Sequence, residues 1–383
     1  MKTHSSSGRV SVGSRATGRT IFYIIAAMIA AGGWALAAAS AAAAICGPVI
    51  TDCCTVASAG VFFLANDLST GVGGGDCIDV AAVVGGGQGV VIQMNAFTIS
   101  SGFPGSGVGI NVFPSATGTV VDGCSDNLGC FGKGAITGFA TGILDQARHA
   151  VFNDIITDFS AHAGVRAVGA DLAVFNDMEV FANGTNGMAI VSTKAARIRN
   201  IDNFSNGRNG IKLDSSTGSF VDDSDADSNL KNGVVLFQAH SNALDNVNAS
   251  SNGKAGFKIA GSSWNSTDFL HAGSNVASGI YVGCSPGSVP VGFDCPTLLG
   301  FADGVKNSIV DTRNSGANFN AFGIALDRGA TQSIVFNNSA LSNSVLDLDD
   351  ENPACDTNIW EENVFGTSSP GGCTSGTSGG SDL

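Results

Sequence analysis

Charge is the scarcest commodity in this sequence. Only 13% of the 383 residues are charged, and 18 basic residues stand against 32 acidic ones, a net charge of −14. That balance excludes nucleic acid as the principal partner, because duplex binding demands a basic surface. Proline is also rare, at 8 residues, and the glycines follow no three-residue period, so collagen and proline-rich disorder are excluded. There is no Gly-x-Ser-x-Gly nucleophile elbow, no phosphate loop following a strand, and no Cys/His cluster with zinc spacing. Glycine is abundant instead, with 53 residues, and the 44% apolar content is too high for a wholly disordered chain.

The first 44 residues read as an export signal. Lys2, Arg9, Arg15 and Arg19 precede an apolar run over 21–31, followed by alanine-rich sequence with small-residue cleavage options after Ala39 or Ala44. An uncleaved anchor is the alternative, since 21–46 carries almost no polarity. Cleavage would leave 14 basic against 32 acidic residues, net −18, in a secreted, periplasmic or cell-surface protein with no membrane segment. All ten cysteines follow the cut, an even number that suggests disulfides in an oxidising compartment. Cys124 with Cys130, Cys284 with Cys295 and Cys355 with Cys373 read as local staples. Cys46, Cys53, Cys54 and Cys77 would pair near the N-terminus in an order the sequence leaves open.

A repeat of 23 residues organises the rest. Gly187-Met-Ala-Ile, Gly210-Ile-Lys-Leu, Gly233-Val-Val-Leu, Gly256-Phe-Lys-Ile and Gly279-Ile-Tyr-Val each begin 23 residues after the last, and Gly164 extends the series backwards. Gly142 lies 22 residues before Gly164. Gly109 lies 33 further back, with the Cys124–Cys130 segment as an inserted loop, and Gly323 lies 44 beyond Gly279, read as two repeats less two residues. Asn183, Asn206, Asn229, Asn252 and Asn275 keep the same step, and Ala150-Val-Phe-Asn-Asp returns at Ala173.

Within one repeat, Ile211 and Leu213 flank Lys212, the alternation of a strand with one buried face. Asn, Gly, Ser and Asp separate such stretches and suit tight turns with left-handed backbone angles. No helical period is long enough to compete. A lone strand cannot bury its apolar face, so the units must stack, and parallel crossovers are right-handed. The expected fold is all-β: a single-stranded right-handed parallel β-helix, a solenoid with coils of about 23 residues. The asparagine column then forms a hydrogen-bonded ladder. The expected organisation is an N-terminal cap and first coils over 45–140, regular coils over 141–350, a C-terminal coil or cap over 351–366, and a flexible Gly/Ser tail over 367–383.

This pattern resembles the parallel β-helix repeat proteins of the pectin-lyase-like superfamily over residues 45–366. Cys46-Gly-Pro-Val-Ile-Thr, Asn66-Asp-Leu, Cys77 and Val90-Val-Ile-Gln-Met-Asn resemble the opening coils of exported bacterial members. Asn358-Ile-Trp-Glu-Glu-Asn-Val-Phe-Gly-Thr resembles their last coil. The fold hosts lyases, hydrolases, epimerases and non-enzymes alike, so the resemblance leaves catalysis open.

Residues 23 apart become neighbours about 4.8 Å apart. Eight of the 14 basic residues after the leader fall between positions 194 and 258. Arg208, Lys231 and Lys254 occupy one column. Lys212 and Lys258 occupy a second, outward column that Tyr281 extends, with Val235 intervening. Stacked like charges suit an acidic polysaccharide, with Tyr281 against a sugar face. The expected protein is a monomer that binds such a glycan or serves as a surface structural protein.

The alternative is a glycoside hydrolase or lyase acting on uronate-containing glycans. In the polygalacturonase type of β-helix an Asn-x-Asp precedes an Asp-Asp pair by one coil, and those carboxylates serve as general acid and base. Asp202, Asp222 and Asp223 resemble that arrangement, although the family's Gly-His-Gly and Arg-x-Lys are absent. No cofactor is expected beyond a possible calcium ion at Asp222, Asp225 and Asp227, with Asp347, Asp349, Asp350 and Glu351 a second acidic group. His149, His162, His240 and His271 share no column.

Overall fold

Alternation along each strand explains the architecture. In the strand Ile211–Asp214 the side chains of Ile211 and Leu213 are fully buried while Lys212 and Asp214 face outward. The computed structural model describes residues 44–72, 74–82, 89–124, 132–283, 304–306, 309–310, 320–327, 330, 332–352, 358–369 and 376–378, and every strand pairing among them is parallel. Residues 1–43 of the proposed leader, and Cys130, Cys284, Cys295, Cys355 and Cys373, lie outside those residues.

One sheet has 12 strands in simple sequential order, so each coil adds one strand beside the last. Its interior column runs Cys54, Ile78, Ile110, Ile143, Val165, Met188, Ile211, Val234, Phe257, Ile280, Ile324 and Leu348, every member buried. A second sheet closes the tube, with Phe152, Phe175, Ile198, Val221 and Leu244 stacked inside. Phe152 and Phe175 lie ring over ring at 5.3 Å. Because the cores of successive coils are continuous, no coil buries its apolar face alone.

The coil turns at four corners, each occupied by a residue in the left-handed region. One corner passes through Asp154, Asp177, Asn200, Asp223, Asn246 and Phe269, with φ between 46° and 54°. Another passes through Ala182, Ser205, Ser228, Ser251 and Ser274, with φ between 55° and 58°. Asn and Asp tolerate this conformation. Leu172, Trp264 and Phe269 occupy it without that tolerance, and all three are exposed.

The asparagine column lies inside the tube. Asn206 accepts at Oδ1 from both the backbone N–H of Asn183, at 3.0 Å, and its Nδ2, at 3.1 Å, and the same pair of bonds links Asn229, Asn252 and Asn275 upward. The ladder ends on Asn320, whose Oδ1 takes the Asn275 N–H. The repeat glycine makes room for it: a Cβ on Gly164 would sit 2.7 Å from Asn183 Nδ2, and one on Gly256 would sit 2.7 Å from Asn275 Nδ2, while one on Gly187 would overlap Asn203 Oδ1, the acceptor for Asn206 Nδ2.

One expectation needs correction. The 44 residues from Gly279 to Gly323 form one coil, because Tyr281 pairs directly with Ala325 and Ile280 with Ile324. The extra length is an excursion between strands, which a solenoid accommodates without breaking either column. Near the C-terminus, Thr367 Oγ1 and the backbone N–H groups of Gly366 and Thr367 bond Asp347, and Gly376–Ser378 pairs with Asn363–Phe365; the rest of the expected tail, 370–375 and 379–383, lies outside the described residues.

At the N-terminal end Cys46 pairs with Cys54 and Cys53 with Cys77. The second bridge ties the first coil to the next, since Cys54 and Ile78 are register partners. Cys124 is disulfide-bonded, and no cysteine is free among the described residues. No helix among them is long and apolar enough to cross a membrane.

Candidate functional site

The cationic columns form as the spacing requires. Thr185, Arg208, Lys231, Lys254 and Ala277 are linked by successive backbone bonds of 2.6–2.8 Å, so the three cations rise one above another along one edge of the 12-stranded sheet. On the outer face of that sheet Lys212, Val235, Lys258, Tyr281, Ala325 and Asp349 stack in register. Lys212 is engaged: its Nζ lies 2.6 Å from Asp214 and 5.2 Å above the Phe237 ring. Lys258 is placed differently. It lies 5.5 Å over the Tyr281 ring, and burial together with the Lys254 charge holds its ammonium below the usual lysine range. Among the described residues Arg208, Lys231, Lys254 and Lys258 take part in no ion pair.

The columns lead into a cavity of about 390 Å³ lined by Ala277, Tyr281, Phe322, Asp327, Asp349 and Glu351, among others. Ala277 is the next step of the Arg208–Lys254 column, and its carbonyl accepts the Phe322 N–H. The Tyr281 hydroxyl donates a short hydrogen bond to Asp327, and burial and that carboxylate keep the phenol protonated far above its ordinary range. Gly283 permits this contact, since a Cβ there would meet the Tyr281 hydroxyl at 2.8 Å and Asp327 Cβ at 2.7 Å. Burial and the charges of Asp350 and Asp327 push the Asp349 carboxyl up. The cavity therefore joins an aromatic and apolar floor to an acidic wall, beside a cationic approach.

Sequence reasoning found Tyr281 but missed Asp327, Asp349 as a lining residue, and Phe322. Reading the Gly279 to Gly323 interval as one long coil would have placed Asp327 over Gly283 and Ala325 over Tyr281. The acidic group at 347–351 divides by role. Asp347 and Asp350 are structural acceptors, Asp350 taking the Trp360 indole N–H at 2.9 Å, while Asp349 and Glu351 face the cavity.

The candidate acids on the other sheet are not gathered as one set. Asp222 and Asp223 both lie against Arg199, at 3.6 and 3.5 Å. Asp202 stacks between Glu179 and Asp225, and Glu179 is paired with Lys133 at 3.1 Å. Burial, the charges of Asp225 and Glu179, and a hydrogen bond with Asp225 raise the Asp202 carboxyl. Asp225 and Asp227 are bridged by the Asn248 amide, and Asp227 also takes the Ser250 N–H. Among the described residues no three His, Cys, Asp or Glu side chains are grouped to hold a metal. A smaller hollow of about 230 Å³ adjoins Asp223, Asp225, Phe269 and His271. His240 is tied to Ser263 Oγ at 2.6 Å.

Residues 141–291 match the protein family described as a right handed beta helix region. The chain is a right-handed parallel β-helix of the pectin-lyase-like fold. The A-module of mannuronan C-5 epimerase AlgE6 from Azotobacter vinelandii shares this β-helix at 15% identity and a TM-score of 0.54, over 84% of this chain and 90% of that one. The enzymatically active domain of tailspike protein 2 from bacteriophage CBA120 shares it at 12% identity and a TM-score of 0.51, over 74% of this chain and 43% of that one. No curated protein matches the β-helix in sequence.

Proposed function

We propose that the protein is an exported, monomeric β-helix that binds an acidic polysaccharide along the strip of Arg208, Lys231, Lys254 and Lys258. The observation that carries this reading is the position of Lys258, half-buried between the Lys254 charge and the Tyr281 ring on an outward sheet face. Lysines kept as stacked, partly desolvated cations on a chain this acidic call for an anionic partner, and the uronate carboxylates of a glycan meet that need at the spacing of successive coils. The disulfides at the first coils suit an oxidising compartment, and the leader supplies the route there. Among the proteins sharing the fold, one is named for its action on mannuronan, itself a polyuronate.

Electrophoresis of the protein lacking residues 1–44 through gels containing polygalacturonate or alginate tests the reading. Retardation is expected, weakened at high salt and largely lost in a Lys231→Ala/Lys254→Ala double variant. Unretarded migration on every acidic glycan refutes it.

A second reading, polysaccharide cleavage, is favoured by one observation: Asp202 and Asp225 are register partners on adjacent coils, and burial with the Asp225 charge raises the Asp202 carboxyl, an arrangement that can hold one proton between two carboxyls. Asp222 and Asp223 lie in ion-pair contact with Arg199 instead. Release of reducing ends or unsaturated products from uronate polymers, abolished by Asp225→Asn, would establish this activity.

A further inference from the structure

We propose that the coil from Trp264 to Phe269 carries a second glycan site, for a neutral oligosaccharide that crosses the strand Ser266–Asp268 with one ring stacked on Phe269. That strand belongs to the 17-stranded sheet, whereas the cationic strip follows the 12-stranded one, so the site stands whether or not the strip binds a polyuronate. Two corner columns change residue type on this coil. Asp154, Asp177, Asn200, Asp223 and Asn246 hold the first corner on five successive coils, and their short polar side chains tolerate its left-handed backbone. The sixth coil places Phe269 there, at φ 49°. A bulky side chain disfavours that conformation, and it gains little from packing because the ring is 59% exposed. The corner at the other end of the same strand repeats the exchange. His149, Leu172, Ala195, Gly218 and Ser241 are followed by Trp264, at φ 59° and 61% exposed. Two exposed aromatic rings, each held in a disfavoured backbone conformation at the ends of one strand, point to a ligand rather than to folding.

Phe269 borders the hollow of about 230 Å³ that Asp223, Asp225, Asn246, Asn248 and His271 also line. That space is smaller than the roughly 300–1,000 Å³ of sites that enclose a whole ligand, and it suits one ring of a longer chain. Its carboxylates are already engaged. Asp223 accepts the Asn246 amide at 2.6 Å and lies 3.5 Å from Arg199, and Asp225 accepts the Asn248 amide at 3.0 Å. The hollow therefore calls for no cation, while its negative wall repels a uronate or a phosphate. An acyl chain would desolvate those polar groups without replacing their hydrogen bonds to water. A neutral sugar meets both halves of the site. Its C–H face covers the Phe269 ring, and its hydroxyls donate to the carboxylate and amide oxygens, each of which has more than one lone pair.

Titration of the protein lacking residues 1–44 with cellohexaose, xylohexaose, mannohexaose and maltohexaose, followed by calorimetry and tryptophan emission, tests this. Only Trp264 and the buried Trp360 remain in that protein, so a shift in emission reports Trp264. At least one hexamer is expected to bind and to shift the emission. Phe269→Asn restores the residue type of the preceding coil. It is expected to weaken binding tenfold or more while raising the thermal midpoint. Phe269→Tyr keeps the ring and is expected to hold affinity within threefold. No binding of any hexamer, binding without an emission shift, or binding left intact in Phe269→Asn overturns the proposal. A midpoint that falls in Phe269→Asn also overturns it, by showing that the ring is kept for packing. Hexamer binding that is lost in the Lys231→Ala/Lys254→Ala variant would put the sugar on the strip and remove this site alone. Failure of polyuronate retardation, with hexamer binding intact, removes the strip reading alone.

Discussion

Asp145 is the residue that most violates the chemistry of its surroundings. It ends the strand Phe139–Asp145 with its side chain directed into the tube, in register between Val112 and Ala167, and it is fully buried. Its Oδ1 accepts the Ala147 N–H at 3.0 Å, while Oδ2 has no partner. Burial pushes its acid up to about 7. The unfolded chain ionises near the ordinary aspartate value, about 3.9. The folded state therefore carries no penalty below about pH 4, loses stability as pH rises from there, and bears the whole cost above about pH 7. That cost is on the order of 4 kcal/mol. Asp145→Asn is expected to raise the thermal midpoint at pH 7.5 and to change it little at pH 4, as followed by circular dichroism. A midpoint that falls at both pH values would show that the carboxyl is needed as the corner acceptor. The alternation of the strand foretells that position 145 points inward. It gives no warning that an acid stands there, because Asp is read by default as a turn residue.

Coils, the elements of this fold, depend on two columns that touch. Gly187 has no space for a Cβ, which would overlap Asn203 Oδ1, whereas Gly169 stands at a corner with φ of 62° and nothing within 4 Å. Gly187→Ala is expected to cost several times more stability than Gly169→Ala. The latter adds only the left-handed penalty of about 1–2 kcal/mol, and urea midpoints separate the two. Comparable losses would mean that the close approach to Asn203 does not select the glycine. Constant spacing made both columns legible in the sequence, as it did the neighbours of Lys231 and Lys258. Where the spacing breaks, legibility ends. The excursion between Gly279 and Gly323 hid Asp327 and Phe322 from Tyr281, since nothing in composition separates one long coil from two short ones. The second sheet bends at Asn200 and Asp223, and that corner sets Asp202 over Asp225 and away from the Arg199–Asp222 pair. A resemblance counted in linear spacing does not register such a bend.

At the scale of the whole molecule, stability is distributed along a line, each coil resting on its neighbours. The two bridges at Cys46–Cys54 and Cys53–Cys77 close loops with separations of 8 and 24 residues and hold only the first coils. Reduction is expected to remove roughly 2–4 kcal/mol per bridge from that end. Hydrogen exchange should then accelerate in the strands Cys54–Val56 and Ile78–Val80 while Ile211–Asp214 stays protected. Uniform acceleration would mean that the tube unfolds as one cooperative unit. The same stacking governs how the protein ages. The sequence contains six Asn–Gly steps, beginning at Asn183, Asn186, Asn206, Asn209, Asn232 and Asn252. In a loose peptide the glycine nitrogen attacks the preceding amide carbon and converts asparagine to isoaspartate. Here all six glycine N–H groups donate to carbonyls of an adjoining coil, at 2.7–3.1 Å. The nucleophile of that reaction is thus tied up wherever the tube is intact, and any isoaspartate found in these steps records a coil that has come apart.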